Sequence, residues 1–318
     1  EESVALREAL PKARVTALLG PLEPAEFQAM AEHGVTALVM RMGMLEQLDE
    51  VAEAERPVEV CLKFDTGMGR LGFTKAQVPG LVAFLKDHPH IRPVAACSHL
   101  ATADDPAQSA YVRQQADLFQ TFVEFLAKEG FEVQAHLANS AAILAHADTH
   151  HHAQRGGIAL YGANPFHGTA WERRGHGLEP AMEVSAPVLQ VHDLPRGGSI
   201  SYGRTYTAER DMRVAIVGAG YADNYSRQLS NTGQMHYQGH RLPIVGRVCM
   251  QMTAVAFSPL AVTEAAAPRP GDRVELLGGR GLGEVRPEDL AQWWGTIPYE
   301  VFCLLGMNRR TYVEDDEA

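Results

Sequence analysis

The hydrophobic positions in the first half of the chain alternate between two patterns. Short runs rich in β-branched residues, which predict strands, are separated by segments with apolar residues three and four positions apart, which predict helices. The clearest helix covers residues 24–33 and ends at Gly34, and a longer one runs from Asp105 to Gly130. The predicted strands cover residues 15–19, 36–40, 58–63, 91–98, 131–136 and 158–161.

Strands that alternate with helices of this length form parallel β/α units. About six such units are visible, whereas a closed TIM-type (β/α)8 barrel needs eight, and six strands leave two open edges. The chain also does not begin with methionine, and residues 4–10 already have the pattern of a helix interior. We therefore expect a (β/α)8 barrel, in which either two units escape this count or two further units precede Glu1.

The pattern changes after the polar stretch that ends at residue 177. Runs at residues 182–191, 213–217, 242–248 and 273–277 predict strands separated by turns rich in glycine and proline, and helical periodicity appears only at residues 287–294. We therefore expect an α/β domain at residues 1–177, the partial barrel, followed by a mostly β domain at residues 178–318.

Composition limits the partners that the protein can have. The 318 residues are 46% hydrophobic and can bury a large core, but no apolar run is long enough to cross a bilayer. The net charge is −11, acidic residues cluster only at residues 314–317, and no basic stripe offers contacts to nucleic-acid phosphates. The four cysteines form no CxxC pair, which disfavours a metal site and favours reduced thiols in the cytoplasm. We expect a soluble protein that binds neither nucleic acid nor a membrane.

Candidate chemistry begins with the string KFDTGMGRLG at residues 63–72, which directly follows the third predicted strand. Barrel enzymes keep their chemistry at the carboxyl ends of the strands. Asp65 and Arg70 supply opposite charges, so the string alone favours a structured loop that contains a local ion pair. Seven further strings follow it in order, at residues 98–104, 136–142, 155–162, 201–206, 220–223, 246–250 and 295–300.

These eight strings, in this order, resemble the alanine racemases of fold type III along nearly the whole chain. The resemblance implies pyridoxal 5'-phosphate as the cofactor and interconversion of L-alanine and D-alanine by a two-base mechanism. It further implies a homodimer with shared active sites, which supplies D-alanine for peptidoglycan.

The resemblance also assigns residues to the cofactor. Arg155 would face the pyridine nitrogen and hydrogen-bond it without protonating it, because a guanidinium keeps its proton at working pH. The ring is then a weaker electron sink, which suits a racemase because side reactions are suppressed. Ser140 would open a helix whose first amides favour the phosphate. The complete set of implied cofactor contacts is Arg70, His99, Asn139, Ser140, Arg155, Gly157, Ile158 and Tyr299.

Tyr202 matches the catalytic tyrosine of the family, one of two bases on opposite faces of the substrate Cα. A free tyrosine has a pKa of about 10 and needs help near neutral pH, which the resemblance assigns to His99, linked to Arg155. Tyr202 and Met250 would reach the active site of the partner subunit. The residues implied to contact or guide the substrate are Arg70, Met250 and Tyr221.

Two lysine positions of the family bear on the chemistry that this chain can perform. Lys63 matches a lysine that is often carbamylated in the family, where the added negative charge braces the arginine at Arg70; a lysine paired with Asp65 is the alternative. The lysine that binds the cofactor covalently precedes, in the family, the region that matches Glu1. None of the other four lysines matches it, so we expect this chain alone to be inactive and a longer protein that contains it to be active.

Gln251 stands where the family usually has an acidic residue, which leaves open a broader-specificity racemase acting on serine or other amino acids. A second alternative is a non-catalytic remnant that binds the cofactor and forms dimers. The retained Tyr202, His99 and Arg155 favour the enzyme, and the unmatched lysine favours the remnant. A decarboxylase of the same fold is disfavoured, because such enzymes usually place an acid where this chain has Arg155.

Overall fold

The computed structural model describes residues 1–257, 267–309 and 311–312, and the acidic run at residues 314–317 lies outside them. The chain divides into two compact units. The first comprises Glu1–Gly157 with Gly168–Arg174, and the second comprises Ile158–His167 with Gly175–Ala318. The second unit therefore includes thirteen residues, 158–167 and 175–177, that the sequence pattern alone groups with the barrel.

The first unit is built on five parallel strands that are hydrogen-bonded in chain order, β1-β2-β3-β4-β5. These strands are β1 (Thr16–Ala17), β2 (Thr36–Val39), β3 (Val58–Lys63), β4 (Ile91–Cys97) and β5 (Gln134–His136). Its helices are α1 (Glu2–Ala9), α2 (Pro24–His33), α3 (Met42–Val51), α4 (Val78–Asp87), α5 (Ser109–Lys128) and α6 (Ser140–Ala145). A parallel sheet in chain order with intervening helices is the arrangement of a (β/α)8-type barrel, as expected from the sequence.

Local sequence signals explain why several of these elements begin and end where they do. Pro24 occupies the first turn of α2, where its missing amide hydrogen costs nothing, and the Glu26 carboxylate accepts from the Glu23 N–H at the same end at 3.1 Å. The helix ends at Gly34, whose φ of 60° lies in the left-handed region that glycine adopts easily. The observed bounds of α2 and β3 therefore coincide with the predicted ones.

The sixth predicted strand, at residues 158–161, is wrong. Ile158–Tyr161 is a 3-10 helix, with backbone hydrogen bonds from Gly162 to Ala159 and from Ala163 to Ile158. A four-residue apolar run does not separate a strand from a short helix by periodicity alone. Ile158 and Ala163 are buried in the hydrophobic core of the second unit. The described residues of the first unit therefore contain five strands, not six.

The second unit is mostly antiparallel, which confirms the predicted β domain. Its main sheet has the strand order β11-β10-β13-β6-β9-β12, and β7 pairs separately with β8. An isolated bridge between Ile244 and Val255 links the segment after β11 to β12. The elements are β6 (Val184–Leu194), β7 (Ser199–Ile200), β8 (Tyr206–Thr207), β9 (Met212–Val217), β10 (Gln234–Tyr237), β11 (His240–Pro243), β12 (Thr253–Ala256), β13 (Arg273–Leu277), α7 (Pro287–Trp294) and α8 (Pro298–Leu305).

Several elements of the second unit differ from the sequence prediction, which did not include β7, β8, β10 or β12. The predicted strand at residues 242–248 ends at Pro243, which cannot donate to a ladder, and Gly246 then adopts a φ of 82° that breaks extended structure. The helix α8 is absent from the prediction, although Pro298 in its first turn is a typical start signal. Within the described residues, no helix has the length and apolar character needed to span a membrane.

Candidate active site

The carboxyl ends of three neighbouring strands bring predicted site residues of the first unit together. Lys63, the last residue of β3, pairs in register with Cys97 at the end of β4, and Cys97 pairs with His136 at the end of β5. His99 lies two residues beyond Cys97. Since parallel strands end at the same edge of their sheet, three of the sequence strings meet there.

Arg155 bridges the ends of β4 and β5. Its Nη1 donates to the carbonyl oxygen of His136 at 2.8 Å, and its Nη2 donates to those of Ser98 and Leu137, the latter at 3.4 Å. Three of the five guanidinium N–H groups are thus used by backbone carbonyls. In the described part of the chain the other two N–H groups have no acceptor, so they are available to a ligand.

Arg70 lies in a loop that is closed by two backbone hydrogen bonds. The Phe73 N–H donates to the carbonyl of Lys63 at 2.7 Å, and the Asp65 N–H donates to the carbonyl of Phe73 at 3.1 Å. Gly72, at a φ of 127°, packs so closely that a Cβ would come within 2.7 Å of the Asp65 nitrogen. Only glycine fits there, and the loop therefore holds Arg70 just beyond β3.

The local ion pair that the sequence leaves open does not form. One carboxylate oxygen of Asp65 accepts hydrogen bonds from the backbone N–H groups of Gly67 (2.9 Å) and Gly69 (3.0 Å). Among the residues that the structure describes, neither Lys63 nor Arg70 has a carboxylate within 4.0 Å. Asp65 therefore shapes the loop, and the two cations keep their charge for another partner.

The pKa of His99 is affected by the positive charges at this edge of the sheet. Burial and, in decreasing order, the charges of Lys63, Arg155 and Arg70 together lower the pKa of His99 to about 4. A histidine with such a pKa is neutral at pH 7 and presents one donor and one acceptor. Among the described residues, none of the charged groups that shift the pKa of His99 is a carboxylate, so the edge suits a ligand that carries negative charge.

Lys63 and Cys97 respond to the same surroundings. Burial lowers the pKa of the Lys63 ammonium group, and the neighbouring Arg155 and Arg70 lower it further. The pKa of Cys97 is lowered to about 7, first by a hydrogen bond from the thiol of Cys61 and then by Arg155 and Lys63. All four cysteines are free thiols. Sequence reasoning missed the Cys61–Cys97 contact, because only the strand register brings the two together.

The predicted phosphate residues lie in both units. Asn139, not Ser140, caps α6: its side-chain oxygen accepts from the Ala142 N–H at 3.1 Å, and its amide nitrogen donates to the Leu100 carbonyl at 3.3 Å. The buried Ser140 hydroxyl accepts from the Gly157 N–H at 2.8 Å. These contacts join the ends of β4 and β5 to the segment that follows Arg155.

In the second unit, Ile158 and α8 share one hydrophobic core. Ile158 is buried with Val301 and Phe302, and the Tyr161 ring packs on Phe302 with centroids 5.8 Å apart. Tyr299 is the second residue of α8 and is half exposed. The structure thus places the predicted phosphate residues Ile158 and Tyr299 on elements that pack against each other.

Tyr202 lies on the connection between β7 and β8, in a strained stretch of backbone. It is 71% exposed, and Ser201 before it has φ 66° and ψ 178°, a region that is almost restricted to glycine. The Ser201 hydroxyl donates to the carbonyl of Arg247 at 2.6 Å and lies 3.4 Å from the sulfur of Cys249. These contacts hold an otherwise unfavourable conformation directly before the exposed Tyr202.

Three strings of the second unit meet around this connection. Besides the Ser201 contacts, the Tyr221 N–H donates to the carbonyl of Cys249 at 3.0 Å, and the Ala222 N–H donates to that of Met250 at 2.8 Å. Tyr221, Met250 and Gln251 are exposed. The structure therefore gathers Tyr202, Tyr221 and Met250, which the sequence assigns to catalysis and to the substrate, in one region of the second unit.

Lys63 is the one lysine at the carboxyl edge of the parallel strands. Lys12 is in an exposed turn, Lys75 is in a short 3-10 helix, Lys86 pairs with Glu129 on the surface, and Lys128 ends α5. None of these four has the position that the family requires of a covalent anchor. The expected inactivity of the isolated chain stays a prediction.

The first unit has cations and a neutral histidine at the carboxyl edge of its parallel strands, and the antiparallel unit carries an exposed tyrosine. These features are typical of a barrel enzyme with an anionic cofactor. Family models of the alanine racemase N-terminal domain and C-terminal domain match residues 1–165 and 181–313. The chain belongs to the alanine racemase family.

The chain is also similar to individual alanine racemases in sequence and in structure. The chain is 51% identical over 316 residues to alanine racemase of Nitratidesulfovibrio vulgaris strain DP4, which covers 99% of this chain and 83% of that protein. It superposes on alanine racemase from Streptomyces coelicolor A3(2) with a TM-score of 0.86 at 30% identity, covering 99% and 82% of the two chains. The alanine racemase from Bartonella henselae, solved with covalently bound pyridoxal phosphate, matches with a TM-score of 0.80 at 27% identity, covering 96% and 80%.

The residues of the carboxyl edge fit pyridoxal phosphate. The cations around His99 have no carboxylate among their described neighbours, which suits a phosphorylated cofactor and the carboxylate of an amino acid. The two guanidinium N–H groups of Arg155 that lack a protein acceptor suit a ring nitrogen that accepts a hydrogen bond. The Ser140 hydroxyl accepts from the Gly157 N–H at 2.8 Å, so a hydroxyl and a backbone amide of the implied phosphate set lie together.

Proposed function

We propose how the residues of this chain divide the reaction of their family, the pyridoxal-phosphate-dependent interconversion of L-alanine and D-alanine. The protein is an amino-acid racemase that depends on pyridoxal phosphate and provides D-alanine for peptidoglycan. When bound, the cofactor supplies an electron-withdrawing ring that makes the α-hydrogen of the amino acid acidic. The observation that carries our assignment is the uncompensated positive charge around His99 at the carboxyl edge.

The proposed roles in the first unit follow from charge and hydrogen bonding. Arg155 donates to the ring nitrogen and keeps its own proton. The ring nitrogen then stays unprotonated, and the ring withdraws less electron density from the substrate. Arg70 attracts the substrate carboxylate, since none of the described residues places a carboxylate within 4.0 Å of it. Asn139, Ser140, Gly157, Ile158 and Tyr299 hold the phosphate end of the cofactor, and their contacts on α6 and α8 support this assignment.

The proposed role of Tyr202 is to remove or return the α-proton on one face of the substrate. Its exposed position suits a group that acts outside its own unit. His99 is neutral near pH 7 and is therefore able to accept a hydrogen bond from a tyrosine hydroxyl. Tyr221 and Met250 line the approach of the substrate, and their backbone contacts next to Tyr202 support that role.

We also propose that the enzyme is a cytoplasmic homodimer in which Tyr202 completes the site of the partner subunit. Support comes from the exposure of Tyr202, Tyr221 and Met250, and from the two buried thiols Cys61 and Cys97, which suit a reducing compartment.

Mixing two inactive variants tests the shared site. Tyr202→Phe and Arg155→Gln chains are unfolded together and refolded, so that mixed dimers form. A mixed dimer has one site with both native residues, so random mixing restores about a quarter of the wild-type activity. Each variant refolded alone is the control. If Tyr202 serves its own chain, the mixture stays as inactive as the separate variants.

We propose that Lys63 is carbamylated. Burial and the neighbouring arginines lower its pKa, so the neutral amine that attacks carbon dioxide persists to lower pH than on a surface lysine. The nitrogen bonds to the carbon of carbon dioxide and loses a proton, and the resulting carboxylate lies beside Arg70. With ¹³C-bicarbonate at slightly alkaline pH, the protein is expected to give a carbamate ¹³C signal that fades as the pH falls.

The lysine variants decide that assignment. Lys63→Arg is expected to abolish the carbamate signal, whereas Lys75→Arg, an exposed position outside the site, should leave it unchanged. A signal that survives Lys63→Arg would contradict the proposal.

A further inference from the structure

A polar side chain interrupts the buried face of the longest helix. The residues of α5 that face the core are Val112, Gln115, Phe119, Phe122 and Leu126, at the three- and four-residue spacing of a helix stripe. Gln115 is the polar member of this stripe and is 0% exposed. A buried amide costs free energy unless its donors and acceptor are satisfied, so its contacts determine why it is tolerated.

The Gln115 amide is satisfied by two loops. Its oxygen accepts from the Ala101 N–H at 2.9 Å, and its nitrogen donates to the His99 carbonyl at 3.1 Å and to the Thr66 hydroxyl at 3.4 Å. The Thr66 hydroxyl also lies 2.7 Å from that of Ser98, and both are buried. One side chain thus connects the loop that follows β3 with the loop that follows β4.

A second contact from α5 fixes the same loop. The Tyr111 hydroxyl donates to the carbonyl of Gly67 at 2.8 Å, and a Cβ on Gly67 would approach that hydroxyl to 2.3 Å. Tyr111 precedes Gln115 by one helical turn, so both side chains can hydrogen-bond to the loop that carries Arg70. The helix therefore holds this loop from two points.

We propose that Gln115 is a positioning residue, which fixes Arg70 relative to His99 by binding the loops that carry them. This inference rests on the proposed function, in which Arg70 attracts the substrate carboxylate and His99 contacts the cofactor. Thr66 completes the connection on the Arg70 side. Because the amide contacts the backbone of His99 and Ala101, it sets where the loop lies without touching the substrate.

Kinetics of Gln115→Leu test the proposal. Leucine makes the stripe apolar throughout and makes none of the three hydrogen bonds. We expect the KM for alanine to rise and kcat/KM to fall by about ten- to a hundredfold, since a small misplacement of binding groups has effects of that size. Phe119→Leu, one turn further along the same stripe, is the matched control: it loosens the core and should leave KM unchanged.

Two further variants, Thr66→Val and Gln115→Glu, test the same role without depending on Gln115→Leu. Thr66→Val removes one hydroxyl at nearly constant volume, so it should raise KM in the same direction but less, even if Gln115→Leu does not fold. Gln115→Glu keeps the acceptor for Ala101 and regains a donor when protonated, so its kcat/KM relative to wild type should recover as the pH falls. Values of KM equal to wild type in both Gln115→Leu and Thr66→Val would overturn the inference.

The proposed function and the positioning role of Gln115 are contradicted by different results. If Tyr202→Phe racemises alanine as fast as wild type, the assignment of the active site is wrong, whatever Gln115 does. If Tyr202→Phe is inactive while the Gln115 and Thr66 variants match the Phe119→Leu control, only the positioning role is wrong.

Discussion

Replacing Tyr202 by phenylalanine is expected to lower kcat for alanine racemisation by about 10²- to 10⁴-fold, the usual contribution of one acid–base group. The substitution removes only the phenolic hydroxyl. The fold should not change, because Tyr202 is 71% exposed and its backbone is set by Ser201 and Gly203, not by packing of the ring. The melting temperature is therefore expected to match that of wild type within error.

Isotope exchange distinguishes this role from a purely binding one. In D2O, a base on only one face still exchanges the α-proton of one alanine enantiomer, so Tyr202→Phe should show exchange of one enantiomer and little of the other. Tyr312→Phe, which alters another exposed tyrosine, serves as the control and should be fully active. Equal loss of exchange for both enantiomers would show that Tyr202 is not a single-face base.

Replacing Arg155 by glutamine is expected to affect both stability and catalysis. The shorter amide cannot reach the carbonyls of His136, Ser98 and Leu137, so acceptors at the ends of β4 and β5 lose their partners. Loss of buried hydrogen bonds to a charged donor should lower the free energy of unfolding by about 2–3 kcal/mol. We expect racemase activity to fall by about 10²-fold or more, as for loss of a preorganised electrostatic group.

The Arg155 variant also makes a prediction about pH. Arg155 is one of the cations that hold the pKa of His99 down at about 4, so removing it lets the pKa of His99 rise. The acid limb of kcat/KM should then move to higher pH, because His99 becomes protonated earlier as the pH falls. Denaturant titrations and pH–rate profiles measure both effects, with Arg92→Gln on the exposed side of β4 as the control. An unchanged acid limb would contradict this electrostatic link.

Much of the fold could be predicted from the sequence where local and long-range signals agree. The helix α2 has proline at its start and glycine at its end, and β3 is a run of β-branched and apolar residues, so their bounds coincide with the prediction. The same holds for β13 and α7. Failures occur where one signal is short: Ile158–Tyr161 has four residues, and its helical turns are decided by packing in the second unit.

The candidate site was only partly predictable for a related reason. The sequence strings name His99, Arg155 and Tyr202, but they do not say that Arg155 is held by three backbone carbonyls or that Asp65 turns away from both cations. Gln115 was missed altogether, although a glutamine between Val112 and Phe119 on a core stripe is a detectable signal. Its partners lie 14 to 49 residues away in the chain, and only the fold brings them together.

One measurement tests the central claim most directly: the fate of L-alanine incubated in D2O with a pyridoxal-phosphate-loaded protein that carries this chain together with the cofactor-binding lysine of the family, followed by chiral separation and mass analysis. We predict that D-alanine carrying deuterium at Cα accumulates until both enantiomers are present in equal amounts. The same preparation, reduced with borohydride, reports by intact mass whether the cofactor is bound. L-Alanine that stays unchanged with a preparation shown to carry the cofactor would contradict the assignment of this chain as an alanine racemase.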